Sequence, residues 1–375
     1  MAGGVNRKIS AASARAHTRR GKQSSSKIPS GIVTAMLAVL IVGISALAYQ
    51  VIQPPPPKTC GSPDGPAVTA PRIKLRDGRH LAYKEHGVPK DNAKYKIFFV
   101  HGFDSCRHDS AVANFLSPEV IEDLGVYIVS YDRAGYGESD PNPNRTVKSD
   151  ALDIEELADQ LGVGSKFYVI GYSMGGHPIW GCLKYIPHRL AGAGLLAPAV
   201  NYWWPGFPAN LSKEAYYQQL PQDQWAVRVA HYIPWLTYWW NTQKWFPPSA
   251  VIAHRMDIFS RRDVEVLSKW SPEENNYLAL ARQQGEYQPA LWIPSAFFFF
   301  LKTETCSSAG QETNLEGSVH LWHGDEDRLV PVILQRYIVQ RLPEYECRIY
   351  HIKLNFPFAD GMSDTIVKAV LTGDK

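Results

Sequence analysis

The sequence is poor in cysteine, with five in 375 residues and no two of them in a CxxC pair. So few thiols cannot form the disulfide framework of a small secreted scaffold. Cys60, Cys106, Cys182, Cys306 and Cys347 also lack any metal-ligand spacing, so no metal is expected. Their odd number leaves at least one thiol unpaired. A basic folded surface is missing too. Of 39 basic and 36 acidic residues, seven basic ones (Arg7, Lys8, Arg15, Arg19, Arg20, Lys22, Lys27) lie in the first 30 positions, which hold no acid. The remainder carries 32 basic against 36 acidic residues. A nucleic-acid binder needs its positive charge on the folded part, so no nucleic-acid partner is expected.

Charge is absent altogether from Gly31 to Tyr49 (GIVTAMLAVLIVGISALAY). As a helix, at ~1.5 Å per residue, this run spans about the apolar core of a bilayer. A cleaved signal peptide is the competitor, since Ala46-Leu47-Ala48 has the form of a cleavage site. Thirty residues precede the run, which is longer than the usual apolar stretch of a signal peptide, and both features favour an uncleaved anchor. The positive N-terminal flank assigns that side to the cytosol and the rest to a lumen or the exterior. Asn144-Arg145-Thr146 and Asn210-Leu211-Ser212 fit that side as glycosylation acceptors. The expected divisions are a basic disordered tail at 1–30, a transmembrane helix at 31–52 in contact with the lipid bilayer, and a stalk at 53–71. The stalk holds Pro54 to Pro57, which cannot continue a helix.

Beyond the stalk, Asp77-Gly78 between alternating apolar residues predicts a hairpin over 72–83. Short continuous apolar runs then predict strands buried on both faces at Lys96–Val100, Val126–Ser130, Phe167–Gly171, Ala193–Leu196 and Val319–Trp322. Helical patterns start at Ser149, closing before Gly162, and at Pro331. The alternation predicts an α/β fold with a mainly parallel sheet covered on both sides. The core is expected at 72–200 and 316–375, interrupted by a helical cap and atypical connection at 201–315. Nine of the eleven tryptophans fall in 201–300. Most should pack between cap helices, with two or three lining a pocket.

Ser173 lies in Gly171-Tyr172-Ser173-Met174-Gly175. A random chain of this length shows G-x-S-x-G roughly once in eight, so the motif alone is modest evidence. Its setting between a buried strand and a helix pattern is what a nucleophile elbow requires. Such a serine needs N–H groups aimed at the developing oxyanion. Met174, the residue after the nucleophile, supplies one, and Phe103, in the loop after strand Lys96–Val100, the other. His101 at that strand end is read as structural. The acid should follow the cap, where Asp325, Glu326 and Asp327 compete; Asp327 is preferred and Asp325 is second.

These stretches resemble α/β-hydrolases, and closely a plant-type, membrane-anchored group of them. The likeness rests on His101-Gly102-Phe103-Asp104, Asp132-Arg133 through Asp140, the Ser173 elbow with Gly176, and Gly324 to Pro331. It implies an eight-stranded hydrolase sheet with a cap, Ser173 as nucleophile and Asp327 as acid. Serine at the elbow argues against the epoxide-hydrolase and dehalogenase branches. Two departures matter. The Gly-His pair expected shortly before Phe356-Pro357 is replaced by Lys353-Leu354-Asn355. Residues 290–315, with Phe297 to Phe300 in a row, do not resemble the cap-to-core connection and imply pyrimidine-only coding, as in a retained intron.

The first functional reading is a serine hydrolase acting on a small apolar or aromatic acyl substrate, without cofactor. The second is a non-catalytic, ligand-binding or defective isoform of the same fold. His351 is the one histidine after Asp327. Read as lying within the final strand, it is the substitute base of an impaired enzyme. Asn355 sits nearer the required loop, but a neutral amide cannot accept the serine proton.

Overall fold

The computed structural model describes residues 30–52, 59–253, 255–267, 317–341, 348–352 and 362–373. The chain divides into two compact units at Val51/Ile52. The first contains helix α1 (Ser30–Ile52). Its stretch Gly31–Gln50 has a mean hydropathy of 2.5 and no buried share. Its length and composition make it a candidate membrane span, a test that a signal sequence also passes. The tail before Ser30, residues 53–58 of the stalk, residues 268–316 with Trp270, Trp292 and Phe297 to Phe300, and Asn355 to Pro357 lie outside the described residues.

The second unit is built on eight strands: β1 (Arg72–Lys74), β2 (His80–Gly87), β3 (Tyr95–Val100), β4 (Val126–Tyr131), β5 (Phe167–Tyr172), β6 (Leu190–Leu196), β7 (Val319–Gly324) and β8 (Arg348–Ile352). Their spatial order is β1-β2-β4-β3-β5-β6-β7-β8. The first two strands form the hairpin expected from Asp77-Gly78, pairing antiparallel with Gly78 at φ +91°. Strand β2 also runs antiparallel to β4. From β4 to β8 every pairing is parallel. The α/β-hydrolase sheet expected from the sequence is therefore present, seven strands running from β2 to β8 with β1 added at the edge.

Alternation along the strands feeds two cores. Phe98 and Val100 of β3 point to one face, and Ile97 and Phe99 to the other. Short helix α2 (Ala111–Phe115), α3 (Pro118–Leu124) and, near the C-terminus, Met362–Thr372 cover the second face through Val112, Val120 and Val367. Helices α4 (Val147–Gln160) and α5 (Gly176–Tyr185) cover the first through Ile154, Leu157, Ile179 and Leu183. Each fully buried aliphatic or phenyl side chain contributes about 1.5–3 kcal/mol relative to exposure. Helix α4 begins two residues before the expected Ser149. Thr146 caps it, and Ser149 reciprocates from the third position by bonding the Thr146 N–H at 2.8 Å.

Between β6 and β7 the described cap residues form α6 (Ala209–Gln218), α7 (Pro221–Tyr232), α8 (Thr237–Thr242) and α9 (Arg261–Leu267), with no strand among them. Helix α10 (Ile333–Gln340) returns to the first face through Leu334 and Ile338, and α11 is the C-terminal Met362–Thr372. Pro331 stands two residues ahead of α10 rather than opening it.

Candidate active site

Strand β5 ends at Tyr172, and the chain turns at once through Ser173–Gly175 into α5. Ser173 has φ +52°, a left-handed conformation that a non-glycine residue adopts rarely and at some cost. Close packing around the turn holds it there. A Cβ on Gly171 would stand 2.4 Å from the Gly175 carbonyl oxygen, and one on Gly175 would stand 2.1 Å from the Val100 oxygen. The elbow glycines are thus required by backbone approaching backbone. The Ala199 N–H donates to the Ser173 carbonyl at 3.0 Å, tying the elbow to the segment after β6.

The loop after β3 lies against the elbow. A Cβ on Gly102 would be 3.2 Å from the Ser173 Cβ. The Gly102 carbonyl lies 2.9 Å from His101 Nδ1 and accepts from Arg133 Nη2 at 2.6 Å. His101 Nε2 accepts the Arg133 backbone N–H at 3.2 Å, so the ring is neutral and carries its proton on Nδ1. Burial, then the Arg133 charge, holds this imidazole well below its ordinary pKa. The structural reading of His101 is the one its bonds support. In a trans peptide the carbonyl and the following N–H point oppositely. Anchoring the Gly102 oxygen therefore fixes the direction of the Phe103 N–H. Arg133, whose guanidinium lies 4.4 Å from the Tyr136 ring centre, stands in the sequence only as part of the Asp132-to-Asp140 resemblance, with no role of its own.

The acid turn follows β7. One carboxylate oxygen of Asp327 accepts the N–H groups of Leu329 and Val330, both at 2.8 Å. The other lies 3.6 Å from His323 Nε2, which in turn is 2.7 Å from the Val330 carbonyl. His323 is fully buried, so it braces this turn much as His101 braces the other. Asp325 points away, exposed and paired with Arg336 at 2.7 Å. Strands β5 and β7 flank β6. At about 4.8 Å per strand, the Ser173 and Asp327 turns leave the same sheet edge roughly 10 Å apart. Burial, then the Asp327 charge, raises the phenol pKa of Tyr172, the residue before Ser173.

His351 lies on β8. The parallel register sets it opposite His323, one step before the Gly324–Ile352 pair that closes the described ladder. Its backbone lies within that strand, as expected, near the carboxyl end of the described ladder. The loop that should carry the family Gly-His lies outside the described residues.

A model of the alpha/beta hydrolase family matches residues 97–351. This chain belongs to the alpha/beta hydrolase family. Solved structures agree at the level of the fold. An esterase from Thermogutta terrifontis is 18% identical, with TM-score 0.53, and 82% of this chain and 99% of that one are covered. The enol-lactonase from Burkholderia xenovorans is 16% identical, with TM-score 0.55, and 81% of this chain and 100% of that one are covered. An esterase from Exiguobacterium antarcticum is 16% identical at TM-score 0.52, covering 80% and 99%. Comparison with curated protein sequences finds no match.

The hydrolase fold leaves a separate cavity of about 430 Å³ in the cap, walled by Trp203, Trp204, Phe207 and Tyr216, among others. Two tryptophans line it, in keeping with the expected number. Ser173 does not line it. Three or more grouped metal-ligating side chains are absent among the described residues.

Proposed function

We propose that this chain is a membrane-anchored serine hydrolase of acyl esters whose turnover is impaired. The observation that carries the acyl-transfer reading is the strained Ser173 elbow packed against a loop whose Gly102 carbonyl is pinned by His101 and Arg133. In this reading Ser173 attacks the ester carbonyl. The Phe103 and Met174 N–H groups receive the oxyanion. The alcohol departs with a proton, and water releases the acyl group from Ser173. Asp327 orients and charges the base. The base is the weak member, since His351 alone follows Asp327 in the sequence and belongs to a strand ladder rather than to the usual loop.

A fluorophosphonate probe tests this, because labelling requires an activated serine. Ser173 of the full chain should label, and Ser173→Ala should not. Placing Gly-His before Phe356 should raise the labelling rate by on the order of 10³-fold or more, the scale of a restored triad member. A chain that already labels at the rate of the restored variant would refute impairment. Absence of labelling in both would favour the alternative, a ligand-binding member of the fold.

The anchor reading is supported by the hydropathy and exposure of α1 and by the basic residues before it. The protein should stay in the pellet after alkaline carbonate, with its C-terminus protected from protease in sealed microsomes. Release into the supernatant, or a mature N-terminus at Tyr49, would replace the anchor with a signal peptide.

A further inference from the structure

We infer that the cap carries a second membrane contact, a tryptophan-rich face that lies on the surface of a bilayer. Large apolar side chains exposed in the folded unit are concentrated in one region. Among its described residues only Val68, Leu152 and Tyr185 lie outside 217–264. Within that region Trp245 is 79% exposed, Tyr232 65%, Tyr217 57%, Trp225 52%, and Trp235 and Phe246 each 50%.

These residues form connected groups. Trp225 and Tyr232 are seven residues apart on α7 and share one helix face, with Arg228 between them. The Arg228 guanidinium lies 5.3 Å from the Trp225 ring centre. Trp225 stacks on Trp240 at 6.1 Å, and Trp240 on Phe246 at 5.5 Å. Trp239 meets Trp245 edge to face at 5.9 Å. The cap cavity shares Tyr217, Arg228 and Tyr232 with this surface, so an apolar group held by a bilayer could enter it without crossing water.

Composition selects a lipid surface over another occupant. Indole and phenol rings place an apolar body in the acyl boundary and a polar tip among headgroups, and Arg228 supplies a donor for a phosphate. Isolated exposed apolar residues need no explanation, but a connected group of exposed aromatic rings does. The same chain carries α1, so the inference rests on the anchor reading in one respect: an anchored chain is held at a bilayer.

Tryptophan quenching separates the two claims, because α1 contains no tryptophan. The full chain would be reconstituted in nanodiscs of phosphatidylcholine with brominated acyl chains, and in unbrominated discs as the reference. Three of the eleven tryptophans, Trp225, Trp235 and Trp245, are the exposed reporters. Bromination should therefore remove about a quarter of the emission if all eleven emit alike. Replacing the three by Phe, checked for an unchanged thermal transition, should reduce the quenched amount at least about threefold. Equal emission from brominated and plain discs would overturn the inference while leaving the anchor standing. A dimer in the disc that shields these tryptophans would also overturn it, assigning the face to a second copy. If α1 does not enter the discs, the anchor fails, and brominated vesicles added to the free protein read the cap alone. Quenching there supports the inference, and its absence overturns it.

Discussion

Replacing Asp327 by Ala should open the turn after β7. Its side chain is 7% exposed, and one oxygen accepts two backbone N–H groups at 2.8 Å. A hydrogen bond to a charged acceptor contributes about 1.5–3 kcal/mol, and the donors left behind keep their desolvation cost. Together the loss is about 3–5 kcal/mol, concentrated on the turn. At least two powers of ten in local opening follow from that figure. Hydrogen exchange of a peptide covering 325–332 in the full-length protein should accelerate by ~100-fold or more. Asp327→Asn keeps an oxygen in place and loses only the charge, so its exchange should rise by no more than ~10-fold. Asp325→Ala breaks an exposed pair with Arg336 and should change exchange by less than ~3-fold. Unchanged exchange in Asp327→Ala would show that the carboxylate does not hold this turn. An equal effect from Asp325→Ala would show that the two backbone bonds to Asp327 are not what distinguishes it in this turn.

Two further outcomes follow from the structure. Gly175→Ala should fail to give folded protein, because its Cβ would meet the Val100 oxygen at 2.1 Å and the His101 oxygen at 2.8 Å; normal yield with a cooperative thermal transition would contradict the described elbow. Stability should fall on acidification. Burial first, then neighbouring positive charge, lowers His177 to about 3, and His86 and His320 to about 4. Their unfolded forms bind protons near pH 6.5, so stability present at neutral pH is lost as pH falls from about 6.5 to 4. Burial raises Asp153 and Asp223 to about 6 despite Arg79 beside the first and the Ala250 N–H on the second. Those two act oppositely, losing stability as pH rises from about 4 to 6. The histidines outnumber them, so the thermal midpoint should drop toward pH 4. Asp223→Asn should steepen the drop and His320→Gln should flatten it; a midpoint that rises on acidification would refute the balance.

Sequence alone determined whatever depends on neighbours along the chain. Buried strands were readable because both faces of a parallel sheet demand apolar residues, so KIFFV and FYVIG stand out without alternation. The elbow was readable because a turn this tight excludes a Cβ at fixed offsets from the serine. The helix at Val147 was placed two residues late because Thr146 and Ser149 form a reciprocal cap, and either alone passes for the start. Tertiary structure decided what depends on residues distant in the chain. Arg133 carries no local signal of its role, which exists because β3 and β4 are adjacent and bring it to the Gly102 carbonyl. Asp325 and Asp327 are equally acidic in sequence; only the fold gives Asp327 the backbone donors of Leu329 and Val330 and Asp325 an exposed pair with Arg336. Sequence assigns the cap tryptophans to helix packing and a pocket lining; folding puts Trp203 and Trp204 in a cavity wall and leaves Trp225, Trp235 and Trp245 exposed. Sequence records which side chains are apolar, but only the packing of α6, α7 and α8 decides which of them remain in contact with solvent.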